Sequence, residues 1–298
     1  MNVAARAAGQ LMREVYRREL LPARARWWIA AAGMRDWFRY VARSLEAHVE
    51  GEGEGDGGAS REARARAIVC ELAAETMRRR YAALREGEHA AALPAPEENP
   101  RAVALLMSAL YRLDLSPRGA RWIFDGLGGG PHDLGERLAA QRLAWPLSSE
   151  QRWRELTVHL GEWLIVLTER LPERLPRARQ IIAEICFDAG VRYARSIRRW
   201  FSLPADNDAA RAIEVLRTSE YVFRVNPEHW GDAAADGRSG YLEGNACPWY
   251  DRPGWQRMHC GIFGQFQAGV CSEFNLKYKL TKTIPKHGGK LCRVDLVS

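Results

Sequence analysis

The spacing of apolar residues changes near Leu203, and this change constrains the fold more than any other feature of the sequence. Before it, apolar residues recur every three or four positions, most regularly over 177–201, as they do along one face of a helix. After it, residues 274–284 alternate apolar and polar side chains, which predicts a β-strand. We therefore predict an α+β protein, mostly helical in its first two-thirds, with a small antiparallel sheet near the C-terminus.

The same patterns predict the individual elements and two domains. Helices are expected over 2–21, 35–48, 61–87, 101–113, 177–201 and 208–216, from Ser148 or Ser149 to Pro172, and from about Trp249 or Pro253 to Glu273. Strands are expected over 218–226, 274–284 and Lys290–Val297, the last two forming a hairpin, while 231–241 is expected to be a loop. The predicted domains are a helical region, 1–147, with a mobile glycine-rich loop at 51–60, and an α+β domain, 148–298.

Composition limits the function classes. The chain has 298 residues, of which 47% are hydrophobic and 27% charged, as in ordinary globular proteins. Its net charge of +7 comes mainly from arginine, and no nucleic-acid-binding motif accompanies it. The most apolar early run, 27–34, is far shorter than a membrane span, and no secretory leader is recognised. We expect a cytoplasmic protein with no nucleic-acid or membrane partner.

Four of the six cysteines lie between Cys247 and Cys292, and three interpretations of them compete. A structural zinc site usually takes its ligands from close pairs, whereas these cysteines are 13, 11 and 21 residues apart. A catalytic thiolate is favoured at a helix start, where Cys247 precedes Pro248, with His229, His259 or His287 as candidate bases. The third interpretation is that the thiols are small buried apolar residues, which is also the expectation for Cys186. Sequence alone leaves all three open.

The C-terminal segment resembles the L-2-amino-thiazoline-4-carboxylic acid hydrolase family. The resemblance is carried by Cys247-Pro248, by Cys260, and by the run FNLKYKLTKTIPKHGGKLC, in which five positions fall on the family pattern: Asn275, Thr281, Thr283, Gly289 and Cys292. Helix 178–194 and the stretch 108–120 are also similar to the family. The C-terminal arrangement is similar, too, to ligand-binding domains of the vinyl reductase type, in which cysteines near this hairpin can hold zinc.

The resemblance implies a hydrolase of non-peptide C–N bonds that acts on a C–N/C–S bond of a thiazoline- or amidine-like ring. Phe263, Gly264 and Gln265 stand where the family carries an acid, and Lys290 follows Gly289 in place of aspartate. These differences favour, as an alternative, a related specialised-metabolism enzyme with another reaction. A non-catalytic small-ligand or metal-binding protein of the vinyl reductase type is the other alternative.

The implied site brings three cysteines around one pocket, and Cys271, which has no counterpart in the family pattern, is expected to be a core residue. The expected catalytic residues are Cys247, Cys260, Cys292 and, as acid or base, His259; the expected substrate-binding residues are Asn275, Lys277, Thr283 and Arg257. The cations in that group would bind the substrate carboxylate. No cofactor is expected, zinc being the only one considered. The expected partner is a small-molecule substrate, with a homodimer as the candidate assembly.

Overall fold

The computed structural model describes residues 3–49, 60–87, 93, 100–112, 122–123, 147–203, 206–223, 229–284 and 291–298. Two compact units are present, one formed by Ala23–Pro176 and the other by Met1–Pro22 together with Arg177–Ser298. The predicted loop at 51–60, apart from Ser60, and the predicted turn at 287–289 lie outside the described residues. No helix in the described part of the chain is long and apolar enough to cross a bilayer.

The elements in chain order are α1 (Val3–Arg17), α2 (Ala23–Leu45), α3 (Arg61–Arg85), α4 (Pro100–Tyr111), α5 (Ser149–Arg170), a 3₁₀ turn (Leu171–Glu173), α6 (Ala178–Trp200), α7 (Asp208–Phe223), β1 (His229–Ala233), β2 (Ser239–Gly244), α8 (Arg257–Ser272), β3 (Lys277–Lys282) and β4 (Cys292–Val297). Helices α2 to α5 belong to the helical unit, whereas α1, α6 to α8 and these strands belong to the α+β unit. The predicted α+β class is confirmed.

Helix α5 begins with a capping box, which explains its sharp start. The Ser148 side chain accepts the Gln151 N–H, and the Gln151 side chain accepts the Ser148 N–H in return. The helix packs against α2 and α3. The division into units therefore differs from the predicted boundary at 147/148, because α5 shares its core with the helices before it.

A buried polar chain runs through the helical unit. Arg80 donates to Glu155 Oε1 at 2.8 Å, His159 Nε2 lies 3.3 Å from the same oxygen, and the Tyr111 hydroxyl is hydrogen-bonded to His159 Nδ1. Burial opposes ionisation of Glu155, but His159 and Arg80 outweigh it and lower the carboxyl pKa to about 2. Burial also lowers the pKa of His159, against the opposing effect of Glu155. The Tyr111 hydroxyl and the Glu155 carboxylate therefore lie at the two nitrogens of the buried His159 ring.

The sheet of the α+β unit has the strand order β1-β2-β4-β3, with every neighbouring pair antiparallel. Leu242 of β2 lies opposite Val294 of β4, and both are buried with Leu296 in a core shared with α6, α7 and α8. Alternate residues of a strand point to opposite faces. The inner face of the sheet is therefore the one that carries Leu242, Val294 and Leu296.

Helices α6 and α8 make backbone contact through two glycines in matching pentapeptides. Residues 187–191 and 266–270 both read F-x-A-G-V. A Cβ on Gly190 would lie 1.9 Å from Phe266 O, and one on Gly269 would lie 2.0 Å from Phe187 O. Each glycine therefore meets the phenylalanine carbonyl of the other copy, and only glycine permits this approach.

Two predictions about the region after Leu203 are wrong. The expected strand at 218–226 is, through Phe223, the C-terminal part of α7. Residues 218–222 are all buried, so the alternation of buried and exposed positions that marks a helix is absent there. The expected loop at 231–241 contains parts of β1 and β2, whose glycine, alanine and aspartate content hides the strand signal. The hairpin of β3 and β4 is confirmed.

Candidate thiol site at one end of the sheet

Cys292 is the first residue of β4 and lies in a row with two residues of neighbouring strands. It is opposite Gly244 of β2, and Gly244 is opposite His229 of β1. Directly opposed residues point to the same face, so His229 and Cys292 share the inner face, where only a glycine stands between them. Two strand spacings put their Cα atoms about 10 Å apart. A thiol and an imidazole thus flank a position without a side chain.

The backbone holds the Cys292 sulfur in place. The Ile284 N–H donates to Sγ at 3.2 Å. Ile284 and the preceding Thr283 are both buried, whereas Cys292 is half-buried. Thr283, an expected substrate-binding residue, therefore belongs to the same end of the sheet as Cys292, because the chain at 284 returns to the start of β4.

Cys247 lies in a loop that aromatic rings anchor to α8. Trp249 is buried, with its ring 5.2 Å from that of Trp255 and 5.0 Å from that of Phe263, edge to face. Cys247 itself is half-buried and follows Gly244 by three residues, so their Cα atoms are at most about 11 Å apart. The loop therefore keeps Cys247 near the end of the sheet that carries Cys292.

His259, the expected acid or base, is part of the cap of α8. Its Nδ1 accepts the Gln256 N–H at 2.8 Å, and its ring is stacked on Trp255 with 5.0 Å between centroids. The side chain is 1% exposed. One imidazole nitrogen thus terminates the helix backbone, which leaves Nε2 as the nitrogen for proton transfer.

Cys260 lies beside His259 in sequence but points elsewhere, because neighbouring residues of a helix are about 100° apart around its axis. Steps of four and three place Cys260 on the same side of α8 as Gly264 and Gln267. The Tyr278 hydroxyl of β3 donates to Gln267 Oε1 at 2.6 Å, so this side of the helix covers the sheet. Cys260 is half-buried on the covered side.

The direction of α8 places Cys260 at the same end of the sheet as Cys292. At the other end of the helix, the Leu276 N–H donates to the Cys271 carbonyl just before β3 begins. The strand then runs back along the helix, and its last residue, Lys282, pairs with Arg293 beside Cys292. The structure thus gathers the three expected cysteines at one end of the sheet.

Two of the expected substrate-binding residues lie at the opposite end. Asn275 is an exposed turn residue with φ of 56°, and Lys277 is exposed and opposite Val297 at the far edge of the sheet. Arg257, by contrast, is the exposed first residue of α8. A helix of this length separates Arg257 from Asn275 by about 24 Å. Asn275 and Lys277 therefore cannot contact a ligand held by Cys292, a result of the turn that reverses the chain after α8.

Two further polar side chains of the α+β unit bear on the site, His229 at this end of the sheet and Glu220 in the interior. His229 had been only one of three candidate bases, because the strand that presents it escaped prediction. Glu220 of α7 is buried and accepts from Gln267 Nε2 at 3.1 Å, which extends the Tyr278–Gln267 hydrogen bond into the interior. No motif in the sequence marks Glu220, since its neighbours read as a strand.

Cys186 and Cys271 are core residues, as expected. Burial raises the pKa of both thiols to about 12. Each is at most 2% exposed. Neither can supply a thiolate near neutral pH, so the candidates for thiol chemistry in this unit are Cys247, Cys260 and Cys292.

Within the described ranges, no group of three or more His, Cys, Asp and Glu side chains is arranged to hold a metal ion. Cys247, Cys260 and Cys292 therefore share one end of the sheet without converging on a common ligand position. His287 lies outside the described residues.

No protein-family model matches the chain, and neither the search of curated proteins nor that of solved structures finds a match. The resemblance to the thiazoline carboxylate hydrolases therefore rests on short segments of the sequence alone.

Proposed function

We propose that the α+β unit is a cysteine-dependent hydrolase that opens the C–N bond of a cyclic, thiazoline- or amidine-like substrate. The observation that carries the proposal is the row of His229, Gly244 and Cys292 on the inner face of the sheet. A thiol and an imidazole on either side of a glycine leave room for a small planar electrophile between nucleophile and base.

Cys292 is the nucleophile in this proposal. Its sulfur is positioned by the Ile284 N–H, and it shares a face with His229. His259, the neighbour of Cys260 in sequence, is engaged through Nδ1 in the cap of α8. Cys247 and Cys260 lie at the same end of the sheet as Cys292. A thiol and a base that different strands hold on one face of a sheet can act together in nucleophilic catalysis.

The reaction then balances as the addition of one water molecule. His229 takes the proton of Cys292 through one bridging water, because a strand lies between the two residues, and the thiolate attacks the ring carbon that lies between nitrogen and sulfur. As the bond from this carbon to the ring nitrogen breaks, that nitrogen leaves as an amine, with one proton from His229 and one from the exocyclic amino group, which becomes an imine. Water then adds to this C=N bond, one of its protons passing through His229 to the imine nitrogen, and the adduct collapses to a carbonyl as the hydroxyl proton goes to the departing Cys292 sulfur. With 2-amino-thiazoline-4-carboxylate, cleavage of the ring C–N bond gives S-carbamoyl-cysteine.

The test is turnover of 2-amino-thiazoline-4-carboxylate by the full chain, followed by mass spectrometry of the product. Cys292→Ser and His229→Asn should each lower kcat by about 100-fold or more. Cys70→Ser, which changes a half-buried thiol of the helical unit, is the matched control and should leave kcat unchanged. Unchanged turnover in Cys292→Ser would remove the nucleophile. Activity in none of the proteins, across thiazolines and cyclic amidines, would favour a non-catalytic ligand-binding protein.

A further inference from the structure

A cavity of about 290 Å³ lies in the α+β unit between α1, one side of α7 and the inner face of β1. Its walls include Tyr16 of α1, Ile213 and Tyr221 of α7, and His229 and Gly231 of β1. An apolar cavity of about 150 Å³ is enough to bind benzene, so this one is large enough for a small planar molecule.

The hollow exists because β1 presents small residues to it. His229, Gly231 and Ala233 alternate on the inner face, and the last two carry little or no side chain. A Cβ on Gly231 would lie 2.5 Å from the Tyr241 carbonyl oxygen of β2, so the neighbouring strand requires glycine here. The space beside β1 therefore follows from the packing of the sheet.

The body of the cavity is aromatic and aliphatic. The Tyr16 and Tyr221 rings meet edge to face with 6.0 Å between centroids. The Tyr221 hydroxyl accepts the Leu21 N–H at 3.0 Å and donates to the Leu21 carbonyl at 3.2 Å, so its polar end is engaged. What this side chain offers to the cavity is its ring, next to the aliphatic side chain of Ile213.

Arg217 brings the charge that distinguishes the cavity. It follows Ile213 by four residues and precedes Tyr221 by four, so all three lie on one side of α7. Two other arginines of the walls are paired, Arg13 with Glu214 and Arg17 with Glu14.

Within the part of the chain that the structure describes, Arg217 forms no ion pair. The acidic wall residues other than Glu214 are Glu19 and Asp232, which are both solvent-exposed. A guanidinium at a half-buried site prefers a planar carboxylate, which it can bind through two parallel hydrogen bonds.

We propose that this cavity binds a small planar carboxylate, whose charged group pairs with Arg217 and whose body packs against Tyr16, Ile213 and Tyr221. The proposal does not require the thiol chemistry, and the site would serve a binding protein equally. His229 belongs both to the cavity wall and to the Cys292 row, so the two sites meet at this side chain.

The test titrates the full chain with benzoate and with benzamide, its neutral counterpart of the same shape, by calorimetry or ligand-observed NMR. Benzoate should bind one site with a Kd of about 1 mM or tighter, and benzamide about tenfold more weakly. Arg217→Gln should raise the Kd of benzoate by about tenfold and leave that of benzamide unchanged.

Two variants control for the fold and the location. Arg211→Gln changes an arginine of the same helix that pairs with Asp208 and does not line the cavity, and benzoate should bind it as it binds the wild type. Ala210→Phe puts a ring into the cavity and should abolish binding of both probes. Absence of saturable benzoate binding, or equal affinity in Arg217→Gln, would overturn the proposal. Cys292→Ser should still bind benzoate, so the loss of turnover and the loss of this site can be told apart.

Discussion

The close contact of α6 with α8 at Gly190 predicts that a larger residue at this position lowers the free energy of unfolding. In Gly190→Ala, the new Cβ would be placed 1.9 Å from Phe266 O, whereas such contacts need about 3.2 Å. The helices must therefore move apart by about 1.3 Å, or the backbone must distort. Neither is easily achieved, because the opposing atom is a main-chain carbonyl and Gly269 makes the reciprocal contact with Phe187 O.

Overpacking of this kind costs about 3 kcal/mol at the upper end of its usual range, and alanine returns about 1 kcal/mol through its better helix propensity. We therefore expect Gly190→Ala to lower the free energy of unfolding by about 2 kcal/mol, measured by urea unfolding followed by circular dichroism. Gly261→Ala in α8 is the matched control, because nothing lies within 4 Å of its new Cβ, and it should stabilise by about 0.5–1 kcal/mol. A gain in stability for Gly190→Ala would refute the glycine contact.

Four further predictions concern stability and thiol reactivity. Glu155→Gln leaves the buried Arg80 without its anion and should cost about 3–5 kcal/mol in urea unfolding; a loss below about 1 kcal/mol would mean that Arg80 reaches solvent. Because the folded pKa of Glu155 is about 2, below its unfolded value, the wild-type stability from this carboxylate is complete above about pH 4.5. It is lost as pH falls towards 2, and a pH series of unfolding curves that stays flat in this window would contradict the assignment. Ser148→Ala removes the cap of α5 and should cost about 1 kcal/mol by the same assay, and no change would place the start of α5 elsewhere. Cys186 and Cys271 should resist iodoacetamide at pH 8 in the native protein and react after unfolding, as read by mass spectrometry, and rapid native labelling would contradict their burial.

The sequence predicts well the elements whose apolar residues follow a single spacing, either that of a helix or that of a strand. Helix α3 and helix α6 lie within a few residues of their predicted ranges, since each buries one side and exposes the other. Helix α2 begins at Ala23 rather than at residue 35, because its first turns carry a tryptophan and arginine run with little contrast between faces.

The errors arise where burial or composition removes the periodic signal. The end of α7 is buried over 218–222, so its alternation of large and small side chains imitates a strand. Strand β1 is an edge strand built on Gly231 and Ala233, and such residues give no β signal. Because β1 was not predicted, the row of His229, Gly244 and Cys292 could not be predicted either.

The candidate site was predictable in part. The cysteines stand out by their density in the sequence. They lie at one end of the sheet because β3 runs back along α8 and β4 begins where β3 ends. The separation of Asn275 and Lys277 from the cysteines could not be predicted, because a pattern match along the chain does not show where the chain reverses. Arg217 could not be identified, because an arginine on an amphipathic helix has the same signature whether it faces solvent or a cavity.

The most direct test of the central claim is to look for the covalent bond to Cys292. The full chain would be mixed with 2-amino-thiazoline-4-carboxylate, quenched in acid during turnover and digested for peptide mass spectrometry. An adduct of the substrate mass is expected on the peptide that contains Cys292, present in wild type and absent in Cys292→Ser. An adduct on Cys247 or Cys260, or turnover by Cys292→Ser at the wild-type rate, would contradict it.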